Sequence, residues 1–338
     1  MFYGIHYMRG FAALLVLLAH INFKMTKLHG WGDSQFGAIG VDIFFIISGF
    51  VIGASYELKN KSSREFLRDR FIRVVPLYWS LTIVALAVFL IRPEIVNSSG
   101  GVTSIFSSFT LIPNGEKILI QNGWTLSYEM YFYLLFAISI SLVEKFRIAT
   151  PIVLTTLLLI GGLGVGFVFS NNSWLAFNSI VIEFVFGMML YKGRRIFVPN
   201  GWIVVYMLSI SLGAYFFLRH HLIDPPRFLS CGVPAFFLLL GIINAEPLFK
   251  RISGGPLGRV GRVLGDFSYS LYLVHPFGIA AVGIVARKIG LGDILTVFSM
   301  IFASLVLGLF TWKFVELPVT QFTKYRLNRR AAASQTTT

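Results

Sequence analysis

Apolar stretches long enough to cross a membrane recur along almost the whole chain of 338 residues. A transmembrane helix needs about 20 mostly apolar residues, and only helices and closed barrels satisfy the backbone hydrogen bonds inside a bilayer. The ten stretches, each bounded by charged residues, glycine, proline or asparagine, cover about 7–24, 38–55, 76–91, 123–143, 149–169, 174–191, 202–218, 228–245, 267–287 and 292–314. The sequence therefore predicts an all-α polytopic membrane protein with about ten transmembrane helices.

Composition excludes other broad classes of protein. Charged residues make up 13% of the chain, about half of their share of about 25% in soluble domains. The one cysteine, Cys231, allows neither an internal disulfide nor a Cys-rich zinc site, and the sequence has no His-Glu-x-x-His or phosphate-binding glycine motif. We therefore expect no metal. The apolar run at 11–19 lacks a basic segment before it and a cleavage site after it, which predicts a retained first helix.

The basic residues predict the orientation of the helices. A net charge of +14 would suggest nucleic-acid binding in a soluble protein, but membrane proteins concentrate lysine and arginine in their cytoplasmic connections. Alternate connections between the ten stretches carry 21 of the 29 Lys and Arg residues, and the other connections carry 8. This bias predicts that both termini are cytoplasmic and that nucleic acid is not a partner.

One membrane-embedded domain is predicted over residues 1–330. Within it, basic and apolar residues interleave at 63–75, which predicts an amphipathic cytoplasmic helix that begins at a serine cap and stops at Pro76. The outer loop at about 92–122 is rich in glycine, proline and serine, so we expect it to be irregular and able to cover part of the protein. Residues 331–338 are predicted to form a disordered cytoplasmic tail.

Ionisable side chains inside a membrane span are costly, so each is a candidate for function. They are His20, Asp42, Glu129, Glu183 and His275, with Arg9 near a cytoplasmic helix end. Arg9 and His20 are eleven residues apart, which places them on one helix face and about 16 Å apart along the axis. A neutral imidazole at His20 can accept a proton from a hydroxyl, so we predict catalysis or substrate contact there rather than packing.

Two carboxylates are expected at the depth of His20. Asp42 lies about four residues into the second stretch and Glu129 six residues into the fourth, and both stretches enter from the outer side. Either carboxylate could orient His20 or stabilise its imidazolium form. For Asp42, capping of the helix start is the alternative.

The remaining candidates each have two interpretations. His275 precedes Pro276, so a site role and a structural kink are both open. For Glu183, a hydrogen bond to a neighbouring helix and a functional role are both open. Arg70 and Arg73 are three residues apart and share a helix face, which suits phosphate or pyrophosphate. Basic residues that merely flank a membrane span are the alternative for this pair.

The residues that carry these signals resemble motifs of the acyltransferase-3 family of integral membrane O-acyltransferases. The matching segments are Arg9 with His20, the Gly-Val-Asp-Ile-Phe-Phe-Ile-Ile-Ser-Gly-Phe run at 40–50, Arg70 with Arg73, the Trp-Thr-Leu-Ser-Tyr-Glu-Met-Tyr-Phe-Tyr run at 124–133, the Ser-Tyr-Ser-Leu-Tyr-Leu-Val-His-Pro run at 268–276 and Val-Glu-Leu-Pro at 315–318. The resemblance spans the whole length. It implies a fold of ten helices with both termini cytoplasmic. The matching segments are most similar to those of bacterial exopolysaccharide O-acetyltransferases.

The resemblance implies transfer of an acyl group, most often acetyl from cytoplasmic acetyl-CoA or another acyl-CoA, to a hydroxyl of a cell-surface or exported glycan or glycolipid. It implies catalytic roles for His20, Asp42 and Glu129, and acyl-CoA binding by Arg9, Arg70 and Arg73. His275, Ser48 and Tyr272 would support the site. The implied setting is the lipid bilayer of the bacterial inner membrane, with polysaccharide export or polymerisation proteins as further partners and no metal.

Two questions stay open at the level of sequence. His20 can act as general base on the acceptor hydroxyl or as a transient acyl carrier, since both mechanisms use the same residues. A polytopic transporter or flippase for a glycolipid or an organic anion is the alternative function, because buried charges and a basic inner mouth also fit a substrate path.

Overall fold

The structure, a computed structural model, describes residues 2–32, 36–59, 61–96, 100–146, 150–169, 178–194, 201–221 and 226–335. Helices dominate these ranges, which contain no strand beyond an isolated bridge between Thr103 and Lys117, so the all-α prediction is confirmed. The helices are α1 (Tyr3–His29), α2 (Ile39–Lys59), α3 (Ser63–Ile91), α4 (Pro93–Val96), α5 (Ile105–Thr110), α6 (Trp124–Phe146), α7 (Pro151–Phe169), α8 (Val181–Gly193), α9 (Gly201–His221), α10 (Val233–Asn244), α11 (Glu246–Ile252), α12 (Pro256–Ile289), α13 (Asp293–Thr311) and α14 (Leu317–Gln335).

Several of these helices have the length and composition of membrane spans. Over the described residues there are six, and a seventh if the bent pair of 228–244 and α11 is one span. They lie at Tyr3–His29, Ile39–Leu58, Ser63–Ile91, Gln121–Lys145, Pro256–Ile289 and Asp293–Arg326. Each of the ten predicted stretches contains a helix, but α8 has only 13 residues, and the described apolar parts of α7 and α9 are also short. Transmembrane helices are therefore confirmed, while ten spans and cytoplasmic termini stay predictions.

The centre of the bundle is formed by α1, α2 and α12. α12 packs against both α1 and α13, while α2 packs against α1 and α8. Glycine allows the closest approach, because a Cβ atom at Gly49 of α2 would collide with the carbonyl of Phe184 in α8. Small residues of this kind let membrane helices pack backbone to backbone, which fixes the position of α2 beside the site.

The predicted stop at Pro76 is wrong. α3 starts as expected, since the Ser62 hydroxyl accepts from the backbone N–H of Glu65, whose side chain accepts from the Ser62 backbone N–H in return. It then continues through Pro76 to Ile91 as one helix of 29 residues. A proline removes one backbone hydrogen bond, and burial of the flanking Val75 and Leu77 keeps the helix continuous.

Pro276 likewise lies inside a continuous helix, α12. Because proline has no N–H, the carbonyl of Tyr272 loses its usual donor one turn later. The side-chain amide of Asn122 donates to that carbonyl instead at 2.8 Å, and both groups are buried. The start of α6 is thereby fixed to the middle of α12.

The loop at 92–122 folds back along α3 instead of extending away from it. After α4 the chain returns to α5, where the carbonyl of Phe109 accepts from the Trp79 indole N–H at 2.9 Å. Trp79 is twelve residues before the end of α3, or about 18 Å along its axis. The expected irregular loop is thus partly helical, and it is held by its own hydrogen bonds, including Ser104 N–H to the Lys117 carbonyl at 2.8 Å.

At the carboxyl end, α14 extends to Gln335, and the disordered tail expected at 331–338 stays a prediction. Residues 336–338 lie outside the described ranges.

Candidate active site

A central cavity of about 200 Å³ lies between α1, α2, α3, α6 and α12. Its lining includes six of the predicted site residues and several aromatic rings. These residues are Arg9, Val41, Phe44, Phe45, Ile47, Ser48, Val51, Arg70, Arg73, Val74, Thr125, Leu126, Glu129, Tyr133, Tyr269 and Tyr272. We call the side with Arg9, Arg70 and Arg73 the arginine end. The opposite side, with Thr125, Tyr272 and the neighbouring histidines described below, is the histidine end.

The arginine end concentrates positive charge. Arg9 comes from α1, and Arg70 and Arg73 come from one face of α3. Among the described residues, none of the three has a carboxylate within ion-pair distance. The Arg70 guanidinium lies over the rings of Phe66 and Tyr133, at 5.7 and 5.9 Å from their centroids, and its Nε has no hydrogen-bond partner in the described structure. Three guanidiniums with free donors form a site for an anionic group.

Glu129 lies in the cavity and not beside His20, so the predicted common depth is wrong. Its Oε1 accepts from the Ser48 hydroxyl at 3.0 Å and from the Tyr133 hydroxyl. The physical reason is that α6 begins inside the helical bundle and not at its outer end. Asn122 is already level with Tyr272, and Glu129 lies seven residues further, about 10 Å along the axis.

Asp42 is also deeper than expected. The residue two positions before it, Gly40, packs against the carbonyl of Ala12, which lies eight residues before His20 in α1. The prediction that Asp42 orients His20 is therefore wrong. The fully buried Asp42 carboxylate instead accepts from Arg227 Nε at 2.9 Å and Nη2 at 2.8 Å.

Arg227 ties the chain before α10 to the start of α2. Its Nη2 also donates to the Ala38 carbonyl at 3.1 Å. Burial disfavours the charge of Arg227, but the adjacent Asp42 carboxylate outweighs burial and raises the pKa of Arg227 above its usual value. Glu183 of α8 is fully buried beside this pair. The hydrogen bond expected from Glu183 to a neighbouring helix stays a prediction, with Asp42 of α2 placed to be its partner.

His20 has a different partner, His275. The Nε2 atom of His275 is 3.2 Å from Nδ1 of His20, and the ring centroids are 4.9 Å apart. His20 Nδ1 is also 2.9 Å from the carbonyl of Val16, while His275 Nδ1 is 3.0 Å from the carbonyl of Leu271. Of the two interpretations left open for His275, the structure favours a place beside the predicted base.

These contacts determine which ring nitrogen carries the proton. A carbonyl oxygen can only accept, so Nδ1 of His275 carries a hydrogen and, in the neutral ring, its Nε2 accepts. His20 Nδ1 then faces two acceptors and must be the donor. The neutral His20 ring is left with an unprotonated Nε2, which is the atom a general base needs.

Tyr272 links the histidines to the cavity. Its ring centroid is 6.2 Å from that of His275, and its hydroxyl is 2.8 Å from the Thr125 hydroxyl. Both hydroxyls also contact the Asn122 carbonyl, at 3.2 Å for Tyr272 and 3.0 Å for Thr125. The histidine end thus contains two hydrogen-bonded groups in contact, the histidine pair and the Tyr272–Thr125–Asn122 group. The predicted supporting residues Ser48 and Tyr272 both lie in the cavity wall.

Sequence reasoning missed several members of this site. Tyr133 and Tyr269 line the cavity, and Glu316 accepts from the Ser270 hydroxyl at 2.5 Å near Arg9. Glu316 and both tyrosines stand in segments that matched family motifs, and that was their only signal. Arg227 had none, because a single arginine before an apolar stretch is ordinary in a membrane protein.

In the part of the chain that the structure describes, no group of three or more His, Cys, Asp or Glu side chains is arranged to hold a metal ion. The described structure thus places a pair of histidines beside a cavity with an arginine-rich end, inside a helical bundle with several candidate membrane spans. Comparisons with known proteins identify the family. Residues 2–313 match the acyltransferase-3 family model, described as an acyltransferase domain, and the chain belongs to this family.

Three relatives illustrate the family. The exopolysaccharide production protein ExoZ of Rhizobium meliloti (strain 1021) is 32% identical over 299 residues, which cover 84% of this chain and 89% of that protein. The acyltransferase MdmB of Streptomyces mycarofaciens is 28% identical over 305 residues, with coverages of 79% and 76%. The peptidoglycan O-acetyltransferase OatA of Listeria monocytogenes is 24% identical over 358 residues, covering 92% of this chain and only 54% of that longer protein. No solved structure matches the chain.

Family membership decides between the two functions that the sequence left open. The chain is an enzyme of the acyltransferase class, and the prediction of an O-acetyltransferase is confirmed.

Proposed function

We propose that the protein transfers an acetyl group from cytoplasmic acetyl-CoA to a hydroxyl of an exported or cell-surface glycan at the bacterial inner membrane. The observation that carries the proposal is the division of the site. Unpaired guanidiniums occupy one end of the central cavity, and a histidine with an unprotonated Nε2 lies beyond the other end. The names of the relatives, which include an exopolysaccharide production protein and a peptidoglycan O-acetyltransferase, support a glycan acceptor.

The arginine end fits the phosphate groups of the donor. Arg9, Arg70 and Arg73 line the same cavity, and among the described residues they have no carboxylate partner that a phosphate would have to displace. The orientation predicted from the basic residues puts this end at the cytoplasm, where acyl-CoA is made. The thiol arm of the donor would then extend along the cavity, past Glu129 and Ser48, toward Tyr272.

His20 would act on the acceptor. Its Nε2 takes the proton of the acceptor hydroxyl while that oxygen forms a bond to the thioester carbonyl carbon. The carbon–sulfur bond then breaks, and the leaving CoA thiolate takes the proton back from the imidazolium. His275 Nε2 accepts the Nδ1 hydrogen of His20 throughout, a part that a carboxylate plays in Ser-His-Asp sites. In the version with a transient acyl-His20, the same Nε2 attacks the thioester carbonyl carbon and CoA leaves as the thiolate. The acceptor hydroxyl oxygen then takes the acyl group from Nε2, and the hydroxyl proton passes to the thiolate.

The test is transfer of label from radiolabelled acetyl-CoA to extracted cell polysaccharide by membranes that contain the protein. We expect incorporation that falls by about 10²–10⁴-fold in His20→Ala, the usual contribution of a general base. His29→Ala is the matched control, because His29 lies in the same helix but pairs with Asp293 at its end.

Incorporation that persists in His20→Ala would contradict both versions of the mechanism. Transfer by the wild type from another acyl-CoA but not from acetyl-CoA would retain the enzyme and change the donor.

A further inference from the structure

A second cavity, of about 310 Å³, lies outside the active site between the returning loop and α6. We call it the loop groove. It is lined by Ser107, Ile112, Pro113, Glu116, Lys117, Ile118, Gln121, Trp124 and Ser127. The first two turns of α6 separate it from the central cavity, because Trp124 and Ser127 face the groove while Thr125 and Leu126 face the cavity.

The loop groove carries charged side chains beside a candidate membrane span. Its loop packs on Trp79 of α3, and the backbone at 111–120 is not helical. Irregular backbone and charged side chains such as Glu116 and Lys117 are tolerated at membrane depth only inside protein or beside a water-filled space. Glu116 is exposed, so the loop groove is best explained as an aqueous recess.

The lining combines one exposed aromatic face with polar groups. Trp124 is 42% exposed, and its orientation is fixed by an edge contact with Tyr128, whose ring centroid is 5.9 Å away. The Ser107 hydroxyl is 1% exposed and has no hydrogen-bond partner among the described residues. A buried hydroxyl without a partner is unfavourable, and a ligand in the groove would satisfy it.

This chemistry matches a sugar ring. The C–H face of a pyranose is apolar and packs on an indole, while its hydroxyl rim needs donors and acceptors such as Ser107, Glu116 and Gln121. The same turn of α6 carries Thr125, whose hydroxyl contacts the Tyr272 hydroxyl, and the Tyr272 ring is next to that of His275. A glycan that lies in the groove is therefore separated from Thr125 and Tyr272 at the histidine end by the width of α6.

We propose that the loop groove is a binding subsite for the acceptor polysaccharide, with Trp124 as the stacking surface; this rests on the proposed function. A subsite of this kind positions the polymer while a neighbouring sugar reacts. It predicts that a polymer is a better acceptor than a single sugar.

The experiment uses the full chain in detergent and oligosaccharides cut from deacetylated exopolysaccharide of the host cell. In Trp124→Ala we expect the KM for oligosaccharide to rise about tenfold, as for loss of an anchoring aromatic contact, with the KM for acetyl-CoA unchanged. Trp124→Tyr should restore most of the affinity, and Gln121→Ala, at an exposed position, should raise the same KM by a smaller factor. Trp31→Ala is the matched control, since Trp31 is 37% exposed and lies outside the groove.

Retention of the protein on immobilised deacetylated polysaccharide separates this proposal from the proposed function, because it needs no transfer. Reduced retention of Trp124→Ala and Gln121→Ala supports the subsite even if the wild type transfers no acetyl. Equal retention and an unchanged oligosaccharide KM in both variants would overturn it, and Trp124 would then be a membrane-interface residue. If Trp124→Ala no longer binds acetyl-CoA, Gln121→Ala alone decides.

Discussion

The two ends of the central cavity are built in opposite ways. At the arginine end, Arg9, Arg70 and Arg73 bring three positive charges together, and no described carboxylate pairs with them. At the histidine end, the polar groups of Tyr272 and His275 are both engaged by neighbours. Unpaired charge is costly until a ligand arrives, whereas hydrogen-bonded side chains are held in fixed positions. In the function proposed above, the first end binds the donor and the second end performs the chemistry.

The strongest challenge to this division is His275→Phe. It removes the acceptor for the Nδ1 hydrogen of His20 and leaves only the Val16 carbonyl to hold the ring. We expect kcat to fall roughly 100-fold, within the range for loss of a group that orients a catalytic base, with the KM for acetyl-CoA unchanged. His275→Gln keeps an acceptor and should recover much of the rate.

A spectroscopic readout distinguishes positioning from packing. The ¹⁵N chemical shifts of labelled histidine report which ring nitrogen carries the hydrogen. Wild-type His20 should show Nδ1–H, and His275→Phe should show a mixture with Nε2–H. A pure Nδ1–H signal in a slow His275→Phe variant would mean that His275 contributes in another way.

Substitutions at the arginine end should change the KM for acetyl-CoA and not kcat. Arg70→Ala removes a guanidinium stacked between two rings, and we expect the KM for acetyl-CoA to rise about tenfold or more with a small change in kcat. Arg70→Lys should recover only part of the affinity, because an ammonium lacks the planar fork. Arg64→Ala is the control, as Arg64 is exposed on the same helix and does not line the cavity. A fall in kcat alone would contradict the proposal that the arginine end binds the donor and the histidine end performs the reaction.

Asn122→Ala tests whether the hydrogen bonds of Asn122 at the histidine end contribute to both stability and kcat. It frees the Tyr272 carbonyl, which Pro276 has already deprived of a backbone donor. A buried acceptor left unpaired costs about 1–3 kcal/mol of stability. We expect a lower Tm and a loss of kcat of a few fold, because Tyr272 stands between the cavity and His275. Asn122→Asp cannot donate when ionised and should not rescue either quantity.

The sequence predicted the elements of the site better than their depths. Arg9 and His20 share a face of one helix, and Arg70 and Arg73 share a face of another, so helical spacing alone placed each pair. The depths of Asp42 and Glu129 were inferred from the starts of their stretches, on the assumption that helices begin at the membrane surface. Asn122 is buried where α6 begins, and Gly40 packs well below His20, so the assumption fails at both.

Long-range partners were beyond sequence reasoning for a different reason. His20 and His275 are 255 residues apart, and Asp42 and Arg227 are 185 apart. Spacing within one helix says nothing of such contacts, which depend on how the helices pack. The choice of His275 over Asp42 as the partner of His20 therefore required the structure.

The smallest effect on transfer is expected at Asp42, which the sequence made a catalytic candidate. Its carboxylate is saturated by Arg227 and lies apart from both ends of the cavity. Asp42→Asn leaves Arg227 without its charge partner. Breaking a fully buried pair costs about 3–5 kcal/mol, and we expect about 2 here because the Arg227 side chain is 35% exposed.

The measurement is kcat per folded molecule together with Tm, and the two should separate. The Tm of Asp42→Asn falls, while its kcat and both KM values stay within a factor of about two of the wild type, which is less than 0.5 kcal/mol of transition-state free energy. Arg227→Met should behave in the same way, because it breaks the same contact from the other side. A large loss of kcat in Asp42→Asn but not in Arg227→Met would show that the Asp42 carboxylate takes part in the reaction. Only such a direct role distinguishes the two variants.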